Sequence, residues 1–124
     1  MQIKESAENY LEAILELKRK HGTVRSIDVA NHLGVSKPSV SVAMKSFREE
    51  GYLLVDAGGE LSLTERGMEI AVKIFERHQL LAKTLMALGV DEETALEDSC
   101  KIEHCISNQT FEKLKEYLLA NNII

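Results

Sequence analysis

The sequence predicts a mainly α-helical protein with one small β-hairpin. Three observations carry that prediction. Long stretches repeat their apolar residues at helical spacing. Two short helical stretches meet at a bare Gly34-Val35 step. Two three-residue apolar runs flank a turn containing Gly58-Gly59.

Residues 5–20 form the first expected helix, with Ala7, Tyr10, Leu11, Ile14, Leu15 and Leu17 recurring at helical spacing among charges. "HGT" at 21–23 breaks it. "SIDVANHL" is the second helix, with Ser26 as the expected N-cap and Ile27, Val29, Ala30 and Leu33 as its apolar face. Gly34 ends it, because glycine enters the left-handed region without a Cβ clash. In "VSKPSVSVAMKSFREEG", Ser36 is the next N-cap and Pro38 sits in the first turn, where a missing N–H costs little. Val40, Ala43, Met44 and Phe47 are its expected buried face, and Gly51 closes it. Two short helices joined this tightly form a helix-turn-helix pattern.

"LLV" and "LSL" around Gly58-Gly59 read as a hairpin directly after that pattern, which makes it a wing. From Thr64 the longest periodic stretch begins. Ile70, Ile74, His78, Leu81 and Leu85 trace one stripe, and Gly89 ends it. "DEETALEDSCKIEHCIS" reads as a further helix over 92–106, capped near Asp91 with acids in its first turn, where they suit the helix dipole. "SNQTFEKLKEYLLAN" is the last, with Phe111, Leu114, Tyr117 and Leu118 on its apolar face. The fold class is therefore a winged helix-turn-helix domain over 1–71 followed by a helical domain over 72–124.

The totals narrow the function. The net charge of −5 argues against a nucleic-acid partner, but its distribution reverses the argument. Between residues 18 and 48 there are seven Lys or Arg (18, 19, 20, 25, 37, 45, 48) against one acid, Asp28. A basic segment inside an acidic chain, carried on a helix-turn-helix, is the footprint of a DNA-binding surface. No apolar run approaches the roughly 18 residues of a membrane span. The start "MQIKESAENYLEAIL" lacks a basic region followed by an apolar core, and the two cysteines suit a reducing compartment. A cytoplasmic protein is expected.

The third helix is the expected recognition helix. It should present Ser36, Lys37, Pro38, Ser39, Ser41, Val42 and Lys45 outward, with Arg25 nearby. Hydroxyls and lysines suit phosphate oxygens, short side chains permit close approach to the groove, and Val42 offers a contact to a thymine methyl. One such unit reads only a handful of bases, so a homodimer on a palindromic operator is expected, with the acidic, apolar-striped C-terminal helices as the contact.

"EDSCKIEHCIS" raises a second possibility. On a helix, Cys100, Glu103 and His104 share one face. His78 points inward by periodicity, and Asn9 and Glu12 are three apart on the first helix. Each has a plainer role open to it: a hydrogen-bonded core histidine, a small buried thiol, a solvated carboxylate.

These residues carry a resemblance. "ENYLEAIL", "DVANHLGVSKPSVSVAMKSF", "LSLTERG", "FERHQLL" and "CKIEHCIS", in this order and at these spacings, make the chain similar to the diphtheria-toxin-repressor and manganese-transport-regulator family of metal-dependent transcriptional repressors, from about residue 5 to residue 120. The resemblance implies a dimeric repressor with a divalent-metal site. It implies ligands at Asn9, Glu12, His78, Cys100, Glu103 and His104, with the metal tying the first helix to the later ones.

The chain also departs from that pattern. Asn9 stands where manganese-type members carry Asp and iron-type members Met. Cys100 stands where iron-type members carry Cys and manganese-type members Glu. Ala82 replaces a second acid on the long helix, which argues against an ancillary site. The chain ends without the additional domain of iron-type members, so length points to manganese and Cys100 to iron. A thiolate favours later first-row metals and oxygen donors suit manganese, so Fe(II) or Mn(II) is expected, with Zn(II) or Co(II) binding in vitro. Binding needs a deprotonated thiol and neutral imidazoles. Two rivals keep the same residues: a winged-helix regulator answering a non-metal signal, with the ligand-like groups structural, and a metalloenzyme. The second lacks any further base or nucleophile motif and leaves the helix-turn-helix idle.

Overall fold

The computed structural model describes the backbone of residues 5–123 and the side chains of residues 6–123. The first four residues of the N-terminal stretch behind the localisation expectation lie outside the described residues. Helices α1 (Glu5–His21), α2 (Ser26–Leu33) and α3 (Lys37–Glu49) come first. The hairpin β1 (Leu53–Val55) and β2 (Leu61–Leu63) follows, then α4 (Glu65–Ala87), α5 (Glu92–Ile102) and α6 (Asn108–Ala120). The chain divides into two compact units, one ending at Val72 and the other beginning at Lys73.

In the first unit α2 contacts α1 and α3, while the hairpin contacts α1 through β2 and α3 through β1. Its core takes Leu11 and Ile14 from α1, Val29 from α2, Val40 from α3, and Leu53 and Leu61 from the strands, all essentially inaccessible to solvent. The rings of Tyr10 and Phe47 meet edge to face at 6.1 Å, an arrangement that aligns a positive ring edge with a negative face. The strands pair antiparallel with Leu53 opposite Leu63 and Val55 opposite Leu61.

Local chemistry explains the joints. Gly34 has φ 67° at the end of α2, and Val35 N–H donates to Ala30 O at 3.1 Å, so the chain reverses within two residues. Ser36 Oγ accepts from Ser39 N–H at 3.2 Å and starts α3. The N-cap of α2 is Arg25 rather than Ser26, because Asp28 in the first turn accepts the Arg25 backbone N–H at 2.9 Å and draws the helix start back by one residue. Gly67 lies against the Tyr52 carbonyl so closely that a Cβ there would sit 2.1 Å from the oxygen. That contact locks the start of α4 onto the entry to β1. Around it, Thr64 O–H donates to Gly51 O at 2.6 Å and Arg66 Nη1–H donates to Glu50 O at 2.9 Å.

The second unit has a core of Leu80, Phe111 and Leu118, flanked by Ile106 and Leu114. Lys115 pairs with Glu76, tying α6 to α4. Tyr117, expected on the apolar face of α6, is 63% exposed: Phe111, Leu114 and Leu118 fill the stripe, and Tyr117 falls beside it. The helix expected over 92–106 ends at Ile102. No glycine marks the stop. After Ile102 the backbone tightens, with Cys105 N–H donating to Ile102 O at 2.9 Å, and the Arg77 guanidinium takes the carbonyls of Glu103 and Ile106.

Candidate metal centre and nucleic-acid interface

Two features stand out, one in each unit. In the first, Arg25, Ser36, Lys37, Pro38, Ser39, Ser41, Val42 and Lys45 are all exposed, and Val42 is 71% exposed despite being apolar. On the opposite face of α3, Val40, Met44 and Phe47 are buried and Ala43 is half-buried. The helix therefore has a packed side and an outward side of short hydroxyls, two lysines and one valine. Arg25 is not simply loose on the surface. Its Nε–H donates to Gly58 O at 3.1 Å, its backbone bridges Glu60, and Val24 O accepts from Leu61 N–H at 2.8 Å. The residues before α2 thus brace the wing. Lys45 and Arg48 line an open cleft of about 540 Å³ between α3 and β1, with Leu53, Leu54 and Val55 among its other walls. Arg48 was absent from the expected interface. Its place one turn beyond Lys45 and inside the basic segment was the available signal.

In the second unit, α4 carries His78, α5 carries Cys100, and the turn after α5 carries Glu103 and His104. One ligand atom from each of His78, Cys100 and Glu103 lies within 4.8 Å of the others. Glu103 is fully buried. Its Oε2 is 2.9 Å from His78 Nδ1, and its Oε1 is 3.2 Å from His104 Nε2. Oε1 accepts no hydrogen bond among the described residues, so the His104 contact is one of proximity rather than of hydrogen-bond alignment. The side chain of His104 is buried too. Cys100 is exposed, which sets aside the small buried thiol as its role. Cys105 is also exposed, its Sγ on Lys101 O at 3.3 Å, away from the cluster's ligands.

Ser99, which sequence reasoning passed over, is fully buried with Oγ 3.2 Å from His78 Nδ1 and 3.0 Å from Leu96 O. A carbonyl only accepts, so the single hydroxyl proton is directed to Leu96. His78 Nδ1, within reach of both Ser99 Oγ and Glu103 Oε2, is then the nitrogen that carries a proton toward them. Nothing in the sequence singles Ser99 out from the other serines. Asn9 and Glu12, the other two expected ligands, stand three apart on α1 in the first unit and so share a helix face. Asn9 is half-buried and Glu12 buried.

A fully buried carboxylate is costly unless it is paired or bound to a metal. Here it has one oxygen without a hydrogen bond, two imidazole nitrogens within 3.2 Å and a thiol close by. Nitrogen, oxygen and sulfur donors in that proportion suit a divalent first-row metal.

Known proteins match both units. The family described as "Iron dependent repressor, N-terminal DNA binding domain" matches residues 2–58. "Iron dependent repressor, metal binding and dimerisation domain" matches residues 64–120. An uncharacterized helix-turn-helix-type transcriptional regulator of Methanocaldococcus jannaschii is 34% identical over 116 residues, covering 92% of this chain and 93% of its own. The transcriptional regulator MntR of Escherichia coli is 33% identical over 112 residues, covering 90% of this chain and 72% of its own. The solved structure of the manganese regulator SloR superimposes with a TM-score of 0.78 at 28% identity, over 95% of this chain and 54% of that one. The chain thus spans about half the length of that solved relative.

Proposed function

We propose a function from one premise: the chain belongs to the iron-dependent repressor family of metal-dependent transcriptional repressors. Its relatives are DNA-binding regulators and not enzymes. From there, the protein is a repressor of metal-homeostasis genes that answers to Fe(II) or Mn(II). The observation that carries this reading is the fully buried Glu103, ringed by His78, Cys100 and His104, in the same chain as an outward-facing helix of serines and lysines.

Asn9, Glu12, His78, Cys100, Glu103 and His104 are the residues that would hold the metal. A divalent cation supplies the positive charge that a buried Glu103 and a deprotonated Cys100 call for. Among these groups Cys100 is the soft donor and tilts the choice toward iron, whereas Asn9 and Glu12 offer the oxygens that suit manganese. Ser99 sets the orientation of the His78 ring, as outer partners of ligating histidines do.

On the DNA side, Ser36, Lys37, Ser39, Ser41 and Lys45 contact phosphate, Arg25 supports the wing, and Pro38 and Val42 lie against the bases of a palindromic operator. A homodimer supplies the two recognition helices. This part of the reading is supported by the family's description of residues 64–120 as a metal-binding and dimerisation domain. The protein acts in the cytoplasm; among the described residues no helix is long and apolar enough to cross a membrane. Metal and DNA are thermodynamically linked, so the state that binds one more tightly binds the other more tightly.

Metal analysis of protein purified anaerobically tests the site. Bound iron or manganese that is lost in Glu103→Gln and in His104→Ala is the expected result. Metal content unchanged by either substitution overturns the assignment.

A further inference from the structure

The two central ligand-like groups of the second unit, Glu103 and His104, are not on a helix. They lie in the connection between α5 and α6, and a segment of that kind is normally among the more mobile parts of a protein. What fixes it is Arg77, the residue before His78 on α4. This side chain is only 8% exposed. Its Nη1–H donors reach Glu103 O at 3.1 Å and Ile106 O at 3.0 Å, and its Nη2–H donates to Asn108 Oδ1 at the first residue of α6. The guanidinium carbon lies 5.2 Å from the centre of the Phe111 ring.

We infer that Arg77 is a positioning residue of the metal centre, the group that holds Glu103 and His104 in register with His78. The inference rests on the metal-dependent reading above. One planar fork spans the whole connection, from the carbonyl of the first ligand residue to the start of the next helix. It also sets a cation at the C-terminal end of α5, where the unpaired carbonyls are negative. Because Arg77 and His78 are consecutive on a continuous helix, the same backbone that places the imidazole also places the clamp.

Stability alone is a poor explanation for this arrangement. The partners of Arg77 among the described residues are neutral carbonyls, an amide and a ring, and its Nε finds no acceptor there. Burying a guanidinium without a carboxylate carries a desolvation cost that an apolar side chain of similar length avoids. Arg77→Met keeps the stem against Phe111 and removes the fork. It loosens the ligand turn and lowers stability somewhat, because the Glu103 and Ile106 carbonyls lose their donor while the guanidinium's own desolvation cost is relieved. Arg77→Lys keeps the charge but cannot bridge three acceptors in one plane, and should fall between.

The test is an anaerobic cobalt(II) titration of the full chain, read by the thiolate-to-cobalt charge-transfer band and the ligand-field bands, beside thermal unfolding of the metal-free proteins. Loss of an outer partner of a metal ligand typically weakens affinity by about 10–100-fold. A weakening of that size is expected for Arg77→Met, with altered ligand-field intensity, a smaller loss for Arg77→Lys, and lowered but still cooperative unfolding of the metal-free variants. If Arg77→Met does not fold, the Arg77→Lys titration decides alone. Wild-type affinity and spectra in a folded variant overturn the role of Arg77 and leave the metal site standing. A wild-type chain that binds no cobalt overturns both.

Discussion

Replacing Gly67 by alanine perturbs the joint between the wing and α4. The new Cβ would sit 2.1 Å from Tyr52 O, 3.1 Å from Tyr52 C and 3.3 Å from Leu63 Cδ2. Contacts of this kind are not found below 3.0 Å, so the first turn of α4 and the Tyr52 backbone must separate by about 0.9 Å, the difference between 3.0 and 2.1 Å. Three hydrogen bonds cross that gap: Thr64 N–H to Tyr52 O at 3.1 Å, Thr64 O–H to Gly51 O at 2.6 Å, and Arg66 Nη1–H to Glu50 O at 2.9 Å. Stretched by that amount, they lose most of their strength, at about 1 kcal/mol each. Alanine returns about 1 kcal/mol through its helix preference. The net loss is about 2 kcal/mol, or at least about 8 °C in the unfolding midpoint of a domain this small. Differential scanning calorimetry of Gly67→Ala measures it. Gly58→Ala is the control, since its nearest contact is an ordinary 3.5 Å to Asp56 Oδ1. A Gly67→Ala protein as stable as wild type would refute the reasoning.

The DNA-facing and capping residues give further outcomes. Lys45→Ala should weaken binding to all duplexes alike and reduce the slope of log K against log salt by about 1, which a salt series of anisotropy titrations would show; an unchanged slope removes Lys45 from the phosphate contacts. Ser107 Oγ accepts from Thr110 N–H at 3.1 Å at the start of α6, so Ser107→Ala should cost about 1 kcal/mol in chemical unfolding. Hydrogen bonds from the Thr94 side chain and backbone hold the Asp91 carboxyl below the usual aspartate range. A lowered native pKa contributes stability that is full above the ordinary aspartate value and fades as the pH falls toward the lowered one. Asp91→Asn keeps a competent N-cap and should lose that acid-side dependence; an identical acid unfolding profile would show that the cap's charge is idle.

Helices, hairpin and the helix-turn-helix were legible because their signals are local. Gly34, Ser36, Pro38 and Gly51 punctuate α2 and α3, and the apolar residues between them recur at one period. Where the structure differs, the cause is a side-chain contact that the apolar period does not show, local in one case and tertiary in the others. Asp28 moves the N-cap of α2 to Arg25 by accepting that residue's backbone N–H. The end of α5 has no breaker in its sequence, and its carbonyls are taken by Arg77, 26 residues earlier. Tyr117 fits the helical period on paper and still faces out, because Phe111, Leu114 and Leu118 fill the stripe against Leu80. His78, Cys100, Glu103 and His104 were visible as residue types at suggestive spacing. Ser99 and Arg77 were not, since a serine and an arginine announce no geometry until the chain is folded.

The central claim is that occupancy of the Glu103 cluster controls DNA binding. An anaerobic anisotropy titration of a labelled palindromic operator, with chelator, Fe(II), Mn(II) or Zn(II), measures it directly. Affinity should rise by roughly 5–150-fold with Fe(II) or Mn(II) over chelator, the usual range for coupled sites, and Glu103→Gln should abolish the rise. Equal affinity with chelator and with either metal would contradict the account.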